Sequence, residues 1–336
     1  MEMTDRNIAD WPKEFSIFGP PDQAGALPLV LRRPQALKID LTAWAAEHRD
    51  LLQAALLNRG GILFRNFEIE SAEEFERFIQ NISGGSLPYT ERSSPRTQVS
   101  GNIYTSTDYP PDQSIFLHNE NSYQHTWPLK IFFYCHIPPA HGGETPIADT
   151  RKVLALIPPE IRAKFEEKKV MYVRNFGNGL GLPWQTVFQT GSKSKVEQYC
   201  QEAGIQCEWL DKHRLRTRHI KDAIAQHPVT YEHSWFNHAT FFHPTTLSPK
   251  MLAELRLVVD DEDLPYNTFY GDGSPIEAEV LDLLRSAYFH ETRIFPWRPS
   301  DILLLDNMMV AHGRQPFEGP RQILVGMSEL YTPFYN

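Results

Sequence analysis

Proline constrains this chain more than any other residue type. It fills 26 of 336 positions, against a usual ~5%, and proline in a helix interior breaks the helix. The chain therefore reads as strands and loops with short helices between them. Apolar runs mark strands at Ile62–Phe64, Ile131–Cys135, Val170–Arg174, Ile302–Leu305 and Gln322–Val325, with 307–310 extended between the last two. Helical spacing covers 41–58, which stops at Gly60-Gly61, and also 192–203 and 248–259. Ser71 to Ile82 opens with a capping box of Ser71 and Glu74. Pro159 to Lys168 opens on a proline, and 275–289 is expected to start at Pro275 with Ser274 as cap. Residues 83–130 read as irregular, and 1–38 as an extended N-terminal arm. The expected architecture is one domain over 1–336, mainly β with flanking helices, built as a β-sandwich or as a jelly-roll (double-stranded β-helix) core. A doubly wound sheet is disfavoured, because strand–helix alternation is irregular and no glycine-rich phosphate motif occurs.

Composition narrows the function. The 42 acidic and 33 basic residues give a net charge of −9, which disfavours a nucleic-acid groove. No run of about 18 apolar residues predicts a membrane span, and the polar start carries no secretory pattern. Cys135, Cys200 and Cys207 form no C-x-x-C pair or disulfide framework and are read as core residues. A reducing, cytoplasmic compartment is the expectation.

Thirteen histidines make a metal site worth testing. With 42 acids in 336 residues, about one histidine in eight has an acid two places on by chance. Two pairs occur, His48-x-Asp50 and His118-x-Glu120. His48 and Asp50 lie in a predicted helix, where residues two apart point in nearly opposite directions. His118 and Glu120 lie where no helical period exists, and in extended chain i and i+2 share a face. Downstream, His312 ends an apolar strand beside Gly313. Two histidines and a carboxylate on one octahedral face leave adjacent positions open, the facial triad of non-haem Fe(II) oxygenases.

His118-x-Glu120, His141-Gly142-Gly143-Glu144-Thr145-Pro146, His312-Gly313-Arg314 and Gly319-Pro320-Arg321 together resemble the Fe(II)/2-oxoglutarate dioxygenases related to taurine dioxygenase and clavaminate synthase. The likeness runs from about Gly61 to Tyr331. The tail motif is especially similar to syringomycin-type hydroxylases of nonribosomal-peptide pathways. The resemblance implies Fe(II), 2-oxoglutarate and O2, with His118, Glu120 and His312 as iron ligands. It matches Arg321 to the arginine on the distal carboxylate of 2-oxoglutarate, a planar fork suited to that group, and Thr145 to a hydroxyl assisting it. The charges of iron, Glu120, 2-oxoglutarate and Arg321 cancel, so the cluster can be buried without a large solvation penalty. Two departures stand out: the carboxylate is Glu, as in the clavaminate-type branch, and Val325-Gly326 occupy the place where many relatives carry another arginine. Arg314 is the alternative ligand for 2-oxoglutarate, or else a structural ion pair.

His233, His238 and His243 are spaced for neither one strand face nor one helix face, and packing is the preferred reading. Asn237 and His238 are candidates for the substrate pocket. Arg174 is read as pairing with either a substrate carboxylate or a surface acid. Trp184 and Phe188 are assigned to the core. Gly142-Gly143 lacks the following helix of a phosphate cradle, and His141 and Glu144 are loop residues. The resemblance favours hydroxylation of an amino acid or aminoacyl unit, free or presented by a carrier protein. A sulfonate or aryloxy acid is the alternative. A zinc hydrolase or lyase on the same residues and a non-catalytic jelly-roll binding module are the competing classes.

Overall fold

The computed structural model describes residues 16–18, 27–89 and 96–333, and in it the apolar runs pair into two facing sheets. The larger has eight strands, with Ile302–Asp306 and Trp127–Ile137 at its centre, flanked by Gly61–Arg65 and Gln322–Tyr331. The smaller has four, in the order Thr292–Arg293, Ile147–Asp149, Val310–Arg314 and Ile115–His118. Side chains alternate across a strand. Leu303, Leu305, Ile131, Phe133 and Val325 point inward onto Ile147, Met309 and Val310. Ile302, Leu304, Phe132 and Tyr134 point outward, beneath Trp44, Leu52, Phe75 and Phe78 of the first three helices. Burial on both faces explains why these strands read as unbroken apolar runs. Each fully buried Leu, Ile or Phe is worth about 1.5–3 kcal/mol. On the far side of the smaller sheet, Leu117, Ala148 and Ala311 pack under Leu281 and Leu284 of the helix Ala278–Glu291. A further sheet, built on Val170–Phe176 between Leu215–Lys221 and Tyr266–Tyr270, forms an outer wall.

Several expectations change. The segment 41–58 forms two helices, Leu41–Glu47 and Arg49–Arg59, broken at His48, whose ring stacks on Trp44 at 4.5 Å. Ser71 caps its helix through Glu74 N, but the Glu74 carboxylate returns to the Glu70 amide, one residue before the capping-box position. Residues 83–130 contain the strands Gln98–Ser100, Ile103–Thr105 and Ile115–His118 and the start of Trp127–Ile137. The first is largely exposed, so it carries little apolar signal. Ser274 does not cap the last helix: its amide and hydroxyl bind the Asp272 carboxylate, and the helix begins at Ala278. Residues 307–309 turn rather than extend, because Asp306 Oδ1 accepts the amides of Met308 and Met309. Part of the proposed arm is a strand, Leu29–Arg32, parallel to Gly61–Arg65; residues 1–15 and 19–26 of that arm lie outside the described residues. No helix among the described residues is long and apolar enough to cross a membrane.

Candidate active site

Strand pairing assembles the metal-ligand candidates. His118 and His312 are direct cross-strand partners, so they share the inner face of the smaller sheet. Their rings lie 4.5 Å apart. Gly313 makes the approach possible, because a Cβ there would sit 2.6 Å from the Ile115 carbonyl oxygen. Glu120 follows two residues after His118, and its carboxylate Oε2 is 3.7 Å from His312 Nε2. That is too long for a hydrogen bond and short enough to straddle one ion. One ligand atom from each of His118, Glu120 and His312 fits within a 4.8 Å span.

The donors are prepared for an ion. The His118 Nδ1 hydrogen goes to the Phe116 carbonyl at 2.8 Å, which leaves Nε2 as the lone-pair donor. Its ring stacks on Phe241 at 4.3 Å, while Phe133 packs on His312 at 4.9 Å. Burial lowers the His118 pKa, with Glu120 opposing. Burial also lowers His312 well below the usual imidazole value, helped by His118 and Arg96. Both rings are therefore neutral, the form that ligates metal. This donor set fits an iron ion.

Asn307 holds the frame. Its Oδ1 accepts the Glu120 amide at 2.7 Å, and its Nδ2 donates to the Glu120 and Pro128 carbonyls at 2.9 and 2.8 Å. Asn119 Nδ2 returns a bond to Asn307 O at 2.7 Å. The turn between the sheets is thus tied to the chelating segment. Sequence reasoning missed Asn307, although its place in the turn before the His312 strand is a usable signal. It also missed Arg96, which reaches Glu120 Oε2 at 2.8 Å with both side chains buried. No local pattern marks that arginine.

Two spaces meet at the centre. A narrow pocket is lined by Thr145, His312, Arg314, Arg321 and Val325. A cleft of about 1210 Å³ runs from His118 and Glu120 past Phe241 and Tyr266 to Lys250 and Arg285. In the pocket, Arg321 donates to the Gly143 carbonyl and Ser106 Oγ at 2.9 and 3.1 Å. Among the described residues no carboxylate pairs with it. Burial, aided by Arg314, brings its pKa down to about 10, so an anion here would be strongly favoured. A Cβ at Gly142 would clash with the Pro316 carbonyl oxygen, and one at Gly143 would crowd the side chains of Pro139, Phe317 and Arg321 at 2.8–3.0 Å. Thr145 Oγ1 accepts Trp297 Nε1 at 3.2 Å.

The remaining candidates fall elsewhere. Arg314 forms no ion pair among the described residues: Nη1 donates to the Tyr109 carbonyl at 2.9 Å and Nη2 to those of Pro110 and Gln113 at 2.5 and 2.7 Å, pinning that loop, while its buried Nε has no hydrogen-bond partner among the described residues. Arg174 is buried, not at the surface, with Tyr123 and Phe176 ring centres each 5.0 Å from its guanidinium. Asn237 bonds the Ala223 carbonyl and the Ala239 amide at 2.7 and 2.9 Å. His238 sits against Ser122 Oγ at 2.5 Å and the Phe242 ring. Arg174, Asn237 and His238 are absent from the lining of the cleft. Arg174 bonds the side chain of Tyr266, and the His238 ring lies 5.6 Å from that of His118, so both stand behind residues that line the cleft. His233 is exposed and His243 caps a short turn, so with His238 they form no cluster.

The family model described as "Taurine catabolism dioxygenase TauD, TfdA family" matches residues 27–328. The chain is 40% identical to the dapdiamide synthesis protein DdaC of Enterobacter agglomerans, over 83% of this chain and 84% of that one. It is 30% identical to a clavaminate synthase-like protein of Arabidopsis thaliana, over 93% and 92%. Among solved structures, PvcB of Pseudomonas aeruginosa aligns with a TM-score of 0.54 at 15% identity, covering 90% of this chain and 85% of that one. A taurine dioxygenase from Burkholderia xenovorans aligns at 0.53 and 15%, covering 94% and 89%. Both share the fold.

Proposed function

The chain belongs to the TauD/TfdA family of dioxygenases, and on that premise we propose that it oxidises an amino acid or amino-acid-derived unit in small-molecule biosynthesis. It is an iron- and 2-oxoglutarate-dependent oxygenase, which sets aside the zinc hydrolase and the binding module. The observation that carries the reading is the convergence of His118, Glu120 and His312 where pocket and cleft meet.

When bound, iron and 2-oxoglutarate supply the oxidising power, with O2 consumed and succinate and CO2 released. His118, Glu120 and His312 hold the ion. Arg321 and Thr145 receive the distal carboxylate of 2-oxoglutarate, Arg321 by charge and Thr145 by its hydroxyl. Phe133 and Phe241 exclude water from the two imidazoles. The cleft walls bring the target carbon to the ion, which is where positioning contributes most.

The substrate class draws support from the relative named for dapdiamide synthesis and from the resemblance of the tail motif to that of syringomycin-type hydroxylases. The cleft, at about 1210 Å³, exceeds the ~300–1,000 Å³ of ordinary small-molecule pockets. That favours an extended substrate, such as an aminoacyl unit tethered to a carrier protein, over a free amino acid. An anaerobic Fe(II) and 2-oxoglutarate titration, followed by the weak visible charge-transfer band, tests the site. Free amino acids and matched carrier thioesters, followed by succinate and product mass together, test the substrate. Tight coupling with a sulfonate or aryloxyacetate alone would overturn the substrate class and leave the oxygenase standing.

A further inference from the structure

We infer that Arg96 is the anion-binding residue of the substrate cleft, placed to hold a carboxylate of the substrate beside the metal centre. Arg96 lines both the narrow pocket and the cleft, so it stands where substrate and 2-oxoglutarate come together. It is 8% exposed. Among the described residues only Nη2 has a hydrogen-bond partner, Glu120 Oε2 at 2.8 Å, and the guanidinium lies 4.7 Å from the Tyr89 ring centre. Nε and Nη1 are buried with no hydrogen-bond partner. A buried guanidinium with two of its three nitrogens unmet is costly, and an arriving carboxylate removes that cost.

Charge gives the same answer. Iron, Glu120, 2-oxoglutarate and Arg321 already cancel, so Arg96 leaves the buried site one positive charge in excess. Arg314 does not share that role, since it is held by three loop carbonyls and feels the Asp112 carboxylate. Of the other cations lining the cleft, Lys250 is exposed and Arg285 pairs with Asp282 at 2.8 Å. Val325 on the neighbouring pocket wall is apolar. A monoanionic substrate therefore completes the site. In a free amino acid the group is the α-carboxylate. In a carrier thioester, where the α-carboxyl is consumed, it is a second carboxylate on the acyl unit. The inference rests on the oxygenase reading of this site.

The test uses full-length protein loaded with Zn(II) and N-oxalylglycine, and binding is read by calorimetry. One arm pairs N-acetyl amino acids with their carboxamides. A second pairs pantetheine thioesters of N-acetylaspartate and N-acetylasparagine. A third pairs 4-phenylbutyrate with its amide. In wild type, the carboxylate of at least one pair binds about tenfold tighter than its neutral partner or better, as a charge-assisted bond in a buried site requires. Arg96→Gln brings the ratio to about one, while Arg96→Lys, which keeps the charge on Glu120, retains part of it. The first two arms tell the two carboxylate sources apart. Preference confined to the third arm keeps the role of Arg96 and removes the amino-acid reading. No preference in wild type, or a preference that survives Arg96→Gln, overturns the inference. So does an Arg96→Gln variant that weakens Zn(II) binding and lowers both members of each pair equally, since that is the behaviour of a residue acting only on Glu120. Should Arg96→Gln fail to fold, Arg96→Lys decides: an unchanged ratio in that variant also overturns it.

Discussion

Arg65 and Arg96 each bury a guanidinium against a carboxylate, but the two pairs are finished to different degrees. Arg65 grips Asp301 through Nε at 3.1 and 3.2 Å and Nη2 at 2.7 Å, and Nη2 also reaches the Pro296 carbonyl at 2.9 Å. Asp301 further accepts the Arg298 amide at 2.9 Å. That pair ties the end of Gly61–Arg65 to the turn before Ile302–Asp306, and its bonds are spent on the fold. Arg96 makes one bond to Glu120 and leaves two nitrogens unmet. Buried polar groups are normally satisfied. A saturated pair therefore marks architecture, and an unsaturated one on a cavity wall marks a place for a ligand.

The largest effect is expected at the unsaturated end. Glu120→Ala, His118→Ala and His312→Ala should each lose iron and all 2-oxoglutarate turnover while keeping the fold, as seen by metal analysis, succinate release and circular dichroism. Wild-type-like succinate production from any of them removes that residue from the triad. Asp301→Ala should do the reverse: breaking a buried pair costs about 3–5 kcal/mol of stability, read from urea unfolding, while the folded fraction still binds metal. If Asp301→Ala is neutral and Glu120→Ala unfolds the chain, the contrast between the pairs is wrong.

Arg321 extends the comparison, as a half-buried arginine with no carboxylate partner among the described residues. Arg321→Gln should weaken 2-oxoglutarate by about 2–5 kcal/mol, a loss of roughly 30-fold or more, seen as a raised KM. Arg314→Gln should leave that KM nearly unchanged, because both of its terminal nitrogens already serve loop carbonyls. The opposite pattern would exchange the two assignments. The smallest effect on 2-oxoglutarate belongs to Thr145→Val, which removes one hydroxyl–carboxylate hydrogen bond worth about 1.5 kcal/mol, roughly tenfold in affinity. It also leaves the buried Trp297 Nε1 without its acceptor, so unfolding should shift by about 1–3 kcal/mol.

Much of this was legible along the chain. Runs such as Ile302–Leu305 and Ile131–Cys135 are buried on both faces and form strands where expected; that they pair with each other is a finding of the structure. The helix over Pro159–Lys168 is framed by its proline start and lies where it was read. The chelating spacing of His118 and Glu120 follows from extended backbone alone. Boundaries failed where side chains, not periodicity, decided them: Asp272 draws Ser274 away from its cap, Asp306 folds 307–309 into a turn, and His48 on Trp44 divides a helix.

The sequence by itself determined the layered sheets, the metal-ligand types and the glycines that let strands close on the centre. Periodicity and spacing act over a few residues, and those features need nothing longer. Tertiary structure decided the rest: that His312 pairs with His118, that Asn307 clamps Glu120, that Arg174 is walled in by aromatic rings, and that Arg96 arrives at Glu120 half-satisfied. Whether a charged side chain is spent or spare depends on which distant groups surround it. Strand register and packing set those neighbours, and no local pattern encodes them.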